Sequence, residues 1–130
     1  MPGFTIRNLK EVEDSAVGFG LSPGLEARFA SGDLELTELG VSYQRLAPGF
    51  RIPFGHQHAT QEELYVVLSG SGRVRLGDEV REVGPWDAVR VEKDTMRNFE
   101  AGPEGLEILA VGAPATGPGD AEPVPGWWSE

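Results

Sequence analysis

The stretch from residue 48 to residue 70 reads Pro-Gly-Phe-Arg-Ile-Pro-Phe-Gly-His-Gln-His-Ala-Thr-Gln-Glu-Glu-Leu-Tyr-Val-Val-Leu-Ser-Gly, and it contains both histidines of the chain. His56 and His58 are two residues apart, so on a strand both imidazoles point to the same face. The same parity places three apolar side chains on that face, Phe50, Ile52 and Phe54. A polar pair at the end of an apolar stripe indicates a site in a cavity and not on an outer surface.

Two carboxylates, Glu62 and Glu63, follow the histidine pair after a short loop. Two imidazoles and one carboxylate are suitable ligands for a divalent ion of iron, manganese, nickel, cobalt or zinc, and they leave coordination positions open to substrate or water. An equally open interpretation is that both histidines are buried and satisfied by backbone carbonyls or by an acidic neighbour such as Glu62. Tyr65 is in phase with Glu63, although an aromatic residue in this pattern more often packs in a core than contacts a substrate.

The rest of the chain predicts an all-β fold. Its 18 glycines and 10 prolines separate short stretches rich in Val, Leu, Phe and Tyr, which is typical of a sandwich or barrel. Gly77 and Asp78 join the clearest hairpin, and only Val12–Phe19 suits a turn or two of helix. The predicted strands are Phe4–Arg7, Leu25–Phe29, Leu34–Leu39, Val41–Leu46, Arg51–His58, Glu63–Leu68, Gly72–Leu76, Glu79–Val83, Ala88–Val91, Arg97–Glu100 and Leu106–Val111.

Composition and charge exclude several classes of function. The chain has 130 residues, enough for one core, with 11 basic against 21 acidic side chains and a net charge of −10. Such a charge repels phosphate backbones and anionic membranes, so we expect neither a nucleic-acid partner nor a membrane partner. The chain has no cysteine, which excludes disulfides, thiolate nucleophiles and cysteine-ligated metals. The first residues have no apolar signal-peptide segment, and we expect a cytoplasmic protein.

Composition changes from Ala113 onward. Prolines and glycines are dense there, and the segment is expected to form a tail without a regular element. It nevertheless contains Trp127 and Trp128, and two bare indoles in solvent would be a liability. We therefore expect these tryptophans to dock on the barrel or on a partner subunit.

The stretch quoted above resembles the first motif of the cupins. Pro48-Gly49-Phe50, the His-x-His pair, the four-residue gap to Glu63 and the closing Gly70 all match that motif. The resemblance covers about residues 34–112 and implies a double-stranded β-helix (jelly-roll) barrel, a ligand site inside it and, commonly, a homodimer. It implies that His56, His58 and Glu63 are three of four metal ligands. The domain assignment is a cupin barrel with an N-terminal arm over residues 1–112, then a Pro/Gly-rich tail over 113–130.

The second motif of that family is less well matched. Gly84–Val91 resembles its glycine-aspartate strand, but Arg97 stands where the fourth ligand, a histidine, is usual. A guanidinium about 5 Å from a divalent cation is repelled by on the order of several kcal/mol, and it cannot deprotonate. Arg97 therefore has three possible arrangements. It folds away from the site, it binds an anionic substrate, or it pairs with Glu63 in a metal-free barrel.

Two hypotheses for function follow. In the first, His56, His58 and Glu63 hold one divalent metal, while Arg97 and Tyr65 orient a small anionic or hydroxylated substrate for oxygenation, isomerisation or decarboxylation. Proton transfer would then fall to Glu62 or to a metal-bound water, because ligation occupies the histidine lone pairs. In the second, a metal-free barrel binds a sugar-like or aromatic molecule without turnover. The side chains expected to contact that molecule are Phe50, Phe54, Tyr65 and Phe99. No catalytic residue is assigned.

Overall fold

A computed structural model describes residues 3–115 and 120–129, and within them eight strands pair antiparallel in one curled sheet. A 3-10 turn at Leu9–Glu11 and a single helical turn, α1 (Ser15–Gly18), precede the strands. The strands are β1 (Leu25–Phe29), β2 (Gly40–Leu46), β3 (Phe54–His58), β4 (Glu62–Leu76), β5 (Glu79–Val83), β6 (Ala88–Val91), β7 (Arg97–Ala113) and β8 (Ala121–Pro125). None of the helical segments in the described ranges has the length and apolar character needed to cross a membrane.

The two long strands β4 and β7 organise the barrel. They pair with each other, and each also pairs with shorter strands, β4 with β5 and β6, and β7 with β2 and β3. The β4–β7 register shifts on either side of Gly70, which has a φ of +81°. A Cβ on Gly70 would lie 2.1 Å from the carbonyl oxygen of Gly105. Only glycine therefore allows the two strands to approach and bend at this point.

The core lies inside the curled sheet and is built from the inward-facing parity of the strands. Tyr65 and Val67 on β4, and Phe99 and Ile108 on β7, are all buried. The same inward parity carries Glu63 and Arg97, so the polar site lies at one end of the apolar interior. This architecture is the predicted all-β jelly-roll barrel.

Most strand predictions are confirmed, and two are wrong. The predicted pairs Glu63–Leu68 and Gly72–Leu76, and Arg97–Glu100 and Leu106–Val111, each merge into one long strand, β4 and β7. Phe4–Arg7 forms no strand and its apolar side chains are exposed, because no strand in the described ranges pairs with it. Leu34–Leu39 forms turns instead, with the Leu34 amide donating to the Ala30 carbonyl and the Leu36 amide to the Ser31 carbonyl.

The prediction that no regular element follows Ala113 is wrong for Ala121–Pro125, which forms β8 against β3. Pro123 pairs with His56 and Pro125 with Phe54, so both prolines have the same parity. An edge strand tolerates proline where the missing N–H would face away from the partner. Both prolines fit that arrangement, because β8 is the edge of the sheet. The part of the tail prediction that concerns residues 116–119 lies outside the described residues.

Both tryptophans dock on the barrel, as expected. Trp128 is 4% exposed and lies beneath the guanidinium groups of Arg51, at 4.3 Å, and Arg73, at 5.2 Å. Arg75 lies 4.3 Å from the ring of Trp127 and donates a hydrogen bond to its carbonyl. Residues 120–129, named here the C-terminal strap, are thus anchored along the outside of β3.

Candidate metal and ligand site

Three strands bring the predicted site residues together. His56 and His58 lie on β3, Glu63 and Tyr65 on β4, and Arg97 begins β7. His56 and Arg97 are directly paired across the β3–β7 ladder, so the arginine is next to the histidine pair. Strand alternation then turns all of these side chains toward the barrel interior.

The carboxylate of Glu63 is the centre of the cluster. One ligand atom from each of His56, His58 and Glu63 lies within 4.8 Å of the others. Glu63 Oε1 is 3.1 Å from His58 Nε2 and 3.5 Å from His56 Nε2. The imidazole rings are edge to face, with centroids 5.1 Å apart. These three donors are close enough to converge on a single ion after small side-chain adjustments.

Arg97 points into this cluster, so the arrangement in which it folds away is wrong. Its side chain is 0% exposed, and Nη1 lies 3.4 Å from Glu63 Oε1. Nη2 donates a hydrogen bond of 3.1 Å to the carbonyl of Glu92. Nε and Nη1 are buried and make no hydrogen bond within the part of the chain that the structure describes. A permanent positive charge with unused donors therefore faces the interior.

Tyr65 donates a hydrogen bond directly to the Glu63 carboxylate. Its hydroxyl donates a 2.5 Å hydrogen bond to Glu63 Oε1 and lies 3.4 Å from His56 Nε2. Tyr65 is 2% exposed, and its ring packs on Phe99 at a centroid distance of 4.8 Å. Burial, together with the adjacent charge of Glu63, raises the pKa of Tyr65 well above its ordinary value. Tyr65 is therefore a hydrogen-bond donor at neutral pH and not a base.

The remaining predicted contact residues are Phe50, Phe54 and Glu62. Phe50 and Phe54 are half-buried and pack against the core, Phe50 over Gly24. Glu62 points to the outer face, opposite Glu63, where its exposed carboxylate pairs with Arg90. The structure therefore brings Tyr65, Phe99 and Arg97 to the cluster but does not bring Glu62 there.

The pKa values of the two histidines are shifted in opposite directions. Burial lowers the pKa of His56, and the nearby Arg97 adds to the effect, against the attraction of Glu63. Burial also opposes charge on His58, but its contacts with Glu63 and Asp120 outweigh that cost and raise its pKa. Burial alone would raise the pKa of Glu63, yet its close contacts with both histidines and the hydrogen bond from Tyr65 hold it well below its ordinary value. Glu63 is thus an anion at neutral pH.

Asp120, in the C-terminal strap, is a further member of the site. It is buried, and its Oδ2 lies 3.0 Å from His58 Nδ1. Its Oδ1 accepts hydrogen bonds from the backbone amides of Ala59 and Thr60 and from the Thr60 hydroxyl. Oδ2 also accepts a longer bond from the Gln61 amide. Asp120 therefore ties the loop after β3 to the imidazole of His58.

Comparison with known proteins identifies the family. The family model of the cupin domain matches residues 42–112, more than half of the chain. The chain is a cupin. The comparison with curated proteins finds no match.

Solved structures share the cupin fold at low sequence identity. A cupin protein from Bacteroides fragilis is 24% identical, with a TM-score of 0.73 over 91% of this chain and 90% of that one. Oxalate decarboxylase from Bacillus subtilis is 25% identical, with a TM-score of 0.73 over 91% of this chain but 32% of the enzyme. The nucleoside dehydratase PAC13 of Streptomyces is 20% identical, with a TM-score of 0.66 over 78% of this chain and 79% of the dehydratase. These likenesses establish the architecture of this cupin.

Sequence reasoning found the centre of this cupin site and missed its outer part. The spacing of His56, His58 and Glu63 predicted that they would meet, and the structure brings them together. Asp120 was missed because it is 62 residues from His58 in the chain, within a segment expected to form no regular element. No local pattern marks such a residue, although the two tryptophans that follow it do indicate that the segment docks.

Proposed function

We propose that this cupin binds one divalent metal ion through His56, His58 and Glu63, together with a small anionic molecule that contacts Arg97. The observation that carries the proposal is the convergence of two imidazole nitrogens and one carboxylate oxygen within 4.8 Å. His58 Nε2 is buried and has no hydrogen-bond partner among the described residues, although it lies 3.1 Å from Glu63 Oε1. A lone pair aimed at the cluster and left unused is what a metal ligand requires.

The donor set limits the choice of metal. Imidazole nitrogen with a single carboxylate suits iron, manganese, cobalt, nickel or zinc better than calcium, which prefers oxygen ligands. Such an ion would act as a Lewis acid on an oxygen atom bound beside it. Tyr65 holds Glu63 in place through its hydroxyl, and burial of the cluster limits competition from water.

The charges around the site favour an anionic ligand. Glu63 and Asp120 are negative, Arg97 is positive, and a divalent ion bound by neutral histidines would leave the group with a net charge of +1. A buried net charge is costly unless it is compensated, so a carboxylate or phosphate oxygen would stabilise the loaded site. Arg97 Nη1 is buried, makes no hydrogen bond within the described residues, and is available to such an oxygen. The similarity to an oxalate decarboxylase, an enzyme of a small dicarboxylate, is in keeping with this class of ligand.

A second candidate function is a metal-free binding module, and one observation favours it. Glu63 Oε1 is already surrounded by Tyr65, both histidines and Arg97. In that state Arg97 neutralises the carboxylate, and the barrel would hold a polar or aromatic molecule without turnover. The reaction class, the homodimer and the cytoplasmic location stay predictions.

Metal analysis separates the two functions. Untagged protein purified without nickel resin or chelator is analysed by plasma mass spectrometry, and Mn²⁺ and Zn²⁺ affinities are measured by calorimetry. We expect near-stoichiometric metal in the wild type and its loss in His58→Ala. Arg97→His is expected to raise affinity by more than about tenfold, or about 1.4 kcal/mol, because it removes a repelling charge and adds a ligand.

Arg7→His, which adds an exposed histidine on the N-terminal arm, is the matched control and is expected to leave affinity unchanged. Failure of every ion to bind the wild type, while Arg97→His binds tightly, would favour the metal-free module. An oxalate or phosphate titration of the loaded wild type then tests the anionic ligand, and Arg97→Met is expected to abolish the response.

A further inference from the structure

We propose that Asp120 is a positioning residue that fixes the tautomer of His58, so that the C-terminal strap directs the lone pair of Nε2 into the barrel. This inference deepens the proposed function. Its consequence for metal affinity rests on the proposed metal binding, whereas the tautomer itself exists with or without a metal. The geometry that carries it is the 3.0 Å contact between Asp120 Oδ2 and His58 Nδ1.

Hydrogen-bond geometry distinguishes the two nitrogens of a neutral His58 imidazole, which carries a single proton. Nδ1 makes a hydrogen bond with the Asp120 carboxylate, which can only accept, whereas Nε2 makes none among the described residues, so the proton belongs on Nδ1. Proton occupancy at Nδ1 leaves Nε2 of the neutral ring as a lone pair. Nε2 is the atom that faces Glu63, at 3.1 Å. Without an acceptor at Nδ1, a neutral His58 would instead place its proton on Nε2, because Glu63 is an acceptor there.

Asp120 can position His58 because several hydrogen bonds fix its own carboxylate. Its carboxylate accepts hydrogen bonds from three consecutive residues of the loop after β3, those of Ala59, Thr60 and Gln61. Downstream, β8 pairs with β3 and the buried Trp128 anchors the end of the strap. The orientation of His58 therefore depends on the docking of a segment that lies more than 60 residues away in sequence.

The same geometry predicts an unusual effect of Asp120→Asn. The amide oxygen is expected to replace Oδ1, where it accepts from the Ala59 amide, the Thr60 amide and the Thr60 hydroxyl. The amide NH2 group then replaces Oδ2 and donates to His58 Nδ1, which forces the imidazole proton onto Nε2. The variant thus keeps most of the loop contacts while it inverts the tautomer of His58.

The first test is the tautomer itself, measured in metal-free protein by ¹⁵N NMR of the two histidines at alkaline pH, with His56→Gln used for assignment. We expect an Nδ1–H tautomer for His58 in the wild type and an Nε2–H tautomer in Asp120→Asn. An Nε2–H tautomer in the wild type would overturn the proposal, and this result needs no variant to fold. An unchanged Nδ1–H tautomer in a folded Asp120→Asn would overturn it as well.

The second test is metal affinity, measured by Mn²⁺ and Zn²⁺ titration. Asp120→Asn is expected to weaken binding about 10- to 100-fold, as is usual when the partner of a metal-ligating histidine is lost. Glu122→Gln is the matched control, since it removes one negative charge from the same strap but contacts Gln57 on the exposed surface and not His58. An equal loss in both variants would mean that net charge, and not the tautomer, matters. If the wild type binds no ion, the metal proposal fails while the NMR result still decides the role of Asp120.

Discussion

Replacement of Trp128 by alanine tests whether the C-terminal strap is part of the folded structure or an appendage. Trp128 is 4% exposed and contacts the guanidinium groups of Arg51 and Arg73. A buried tryptophan removes about 150–250 Å² from water, worth about 4–6 kcal/mol at about 25 cal/mol per Å². Each cation–π contact with one of these partly exposed arginines adds about 0.5–1 kcal/mol. The surrounding side chains relax partly into the gap, so we expect Trp128→Ala to cost about 3–5 kcal/mol.

Urea unfolding followed by circular dichroism measures this loss, with Trp86→Ala as the matched control. Trp86 is 77% exposed, and the same truncation there is expected to change the free energy of unfolding by less than about 1 kcal/mol. Because the strap pairs only with β3 among the described strands, part of the loss in Trp128→Ala will appear as local undocking. Amide hydrogen exchange in β3 is therefore expected to accelerate more than exchange in β4. Equal stability of the two variants, with unchanged exchange in β3, would refute the reasoning.

Two further predictions concern the packing under the strap and the polar cluster on the outer face of the barrel. A Cβ on Gly55 would lie 2.4 Å from the Trp127 ring, so Gly55→Ala is expected to cost about 1–3 kcal/mol in thermal or urea unfolding. Gly84→Ala, with nothing within 4 Å, should cost far less, and similar losses would contradict the packing argument. Hydrogen bonds from Ser69 and Tyr43 hold the pKa of Glu107 below its ordinary 4.5. A lowered folded-state pKa gives stability that is present above about pH 4.5 and is lost as the pH falls below it. Glu107→Gln is therefore expected to be less stable than the wild type at neutral pH, but to lose less of its free energy of unfolding on acidification. Urea unfolding midpoints measured against pH test this, and midpoints that fall in parallel in the two proteins would contradict it.

Local sequence patterns were sufficient for most of the fold because strand alternation and turn residues are local signals. β1 and β6 have their predicted bounds, and the Gly77–Asp78 turn joins β4 to β5 as expected. The patterns failed where pairing depends on a distant partner. Phe4–Arg7 has the composition of a strand but no partner strand among the described residues, whereas the proline-rich residues 121–125 pair with β3.

The candidate site likewise has a part that local sequence predicts and a part that depends on distant residues. His56, His58 and Glu63 are close in sequence, so their spacing on two adjacent strands was enough to predict their meeting. The sequence could not decide whether the Arg97 side chain folds away from the site or points into it. The structure buries it with Nη1 3.4 Å from Glu63 Oε1. Asp120 reaches the site only through the docking of the C-terminal strap, which no short-range pattern encodes.

The two prolines of β8 have a consequence for the behaviour of the protein at high concentration. Pro123 and Pro125 have the parity whose backbone nitrogens face away from β3, so the outer edge of the sheet lacks the N–H donors that a further strand would need at those positions. The free edge is therefore a poor template for strand addition. A chain that lacks the strap would instead present the bare edge of β3, with its unpaired amides, to its neighbours. Proteolytic removal of the strap would thus convert a self-limiting sheet into one that can grow by addition of other chains.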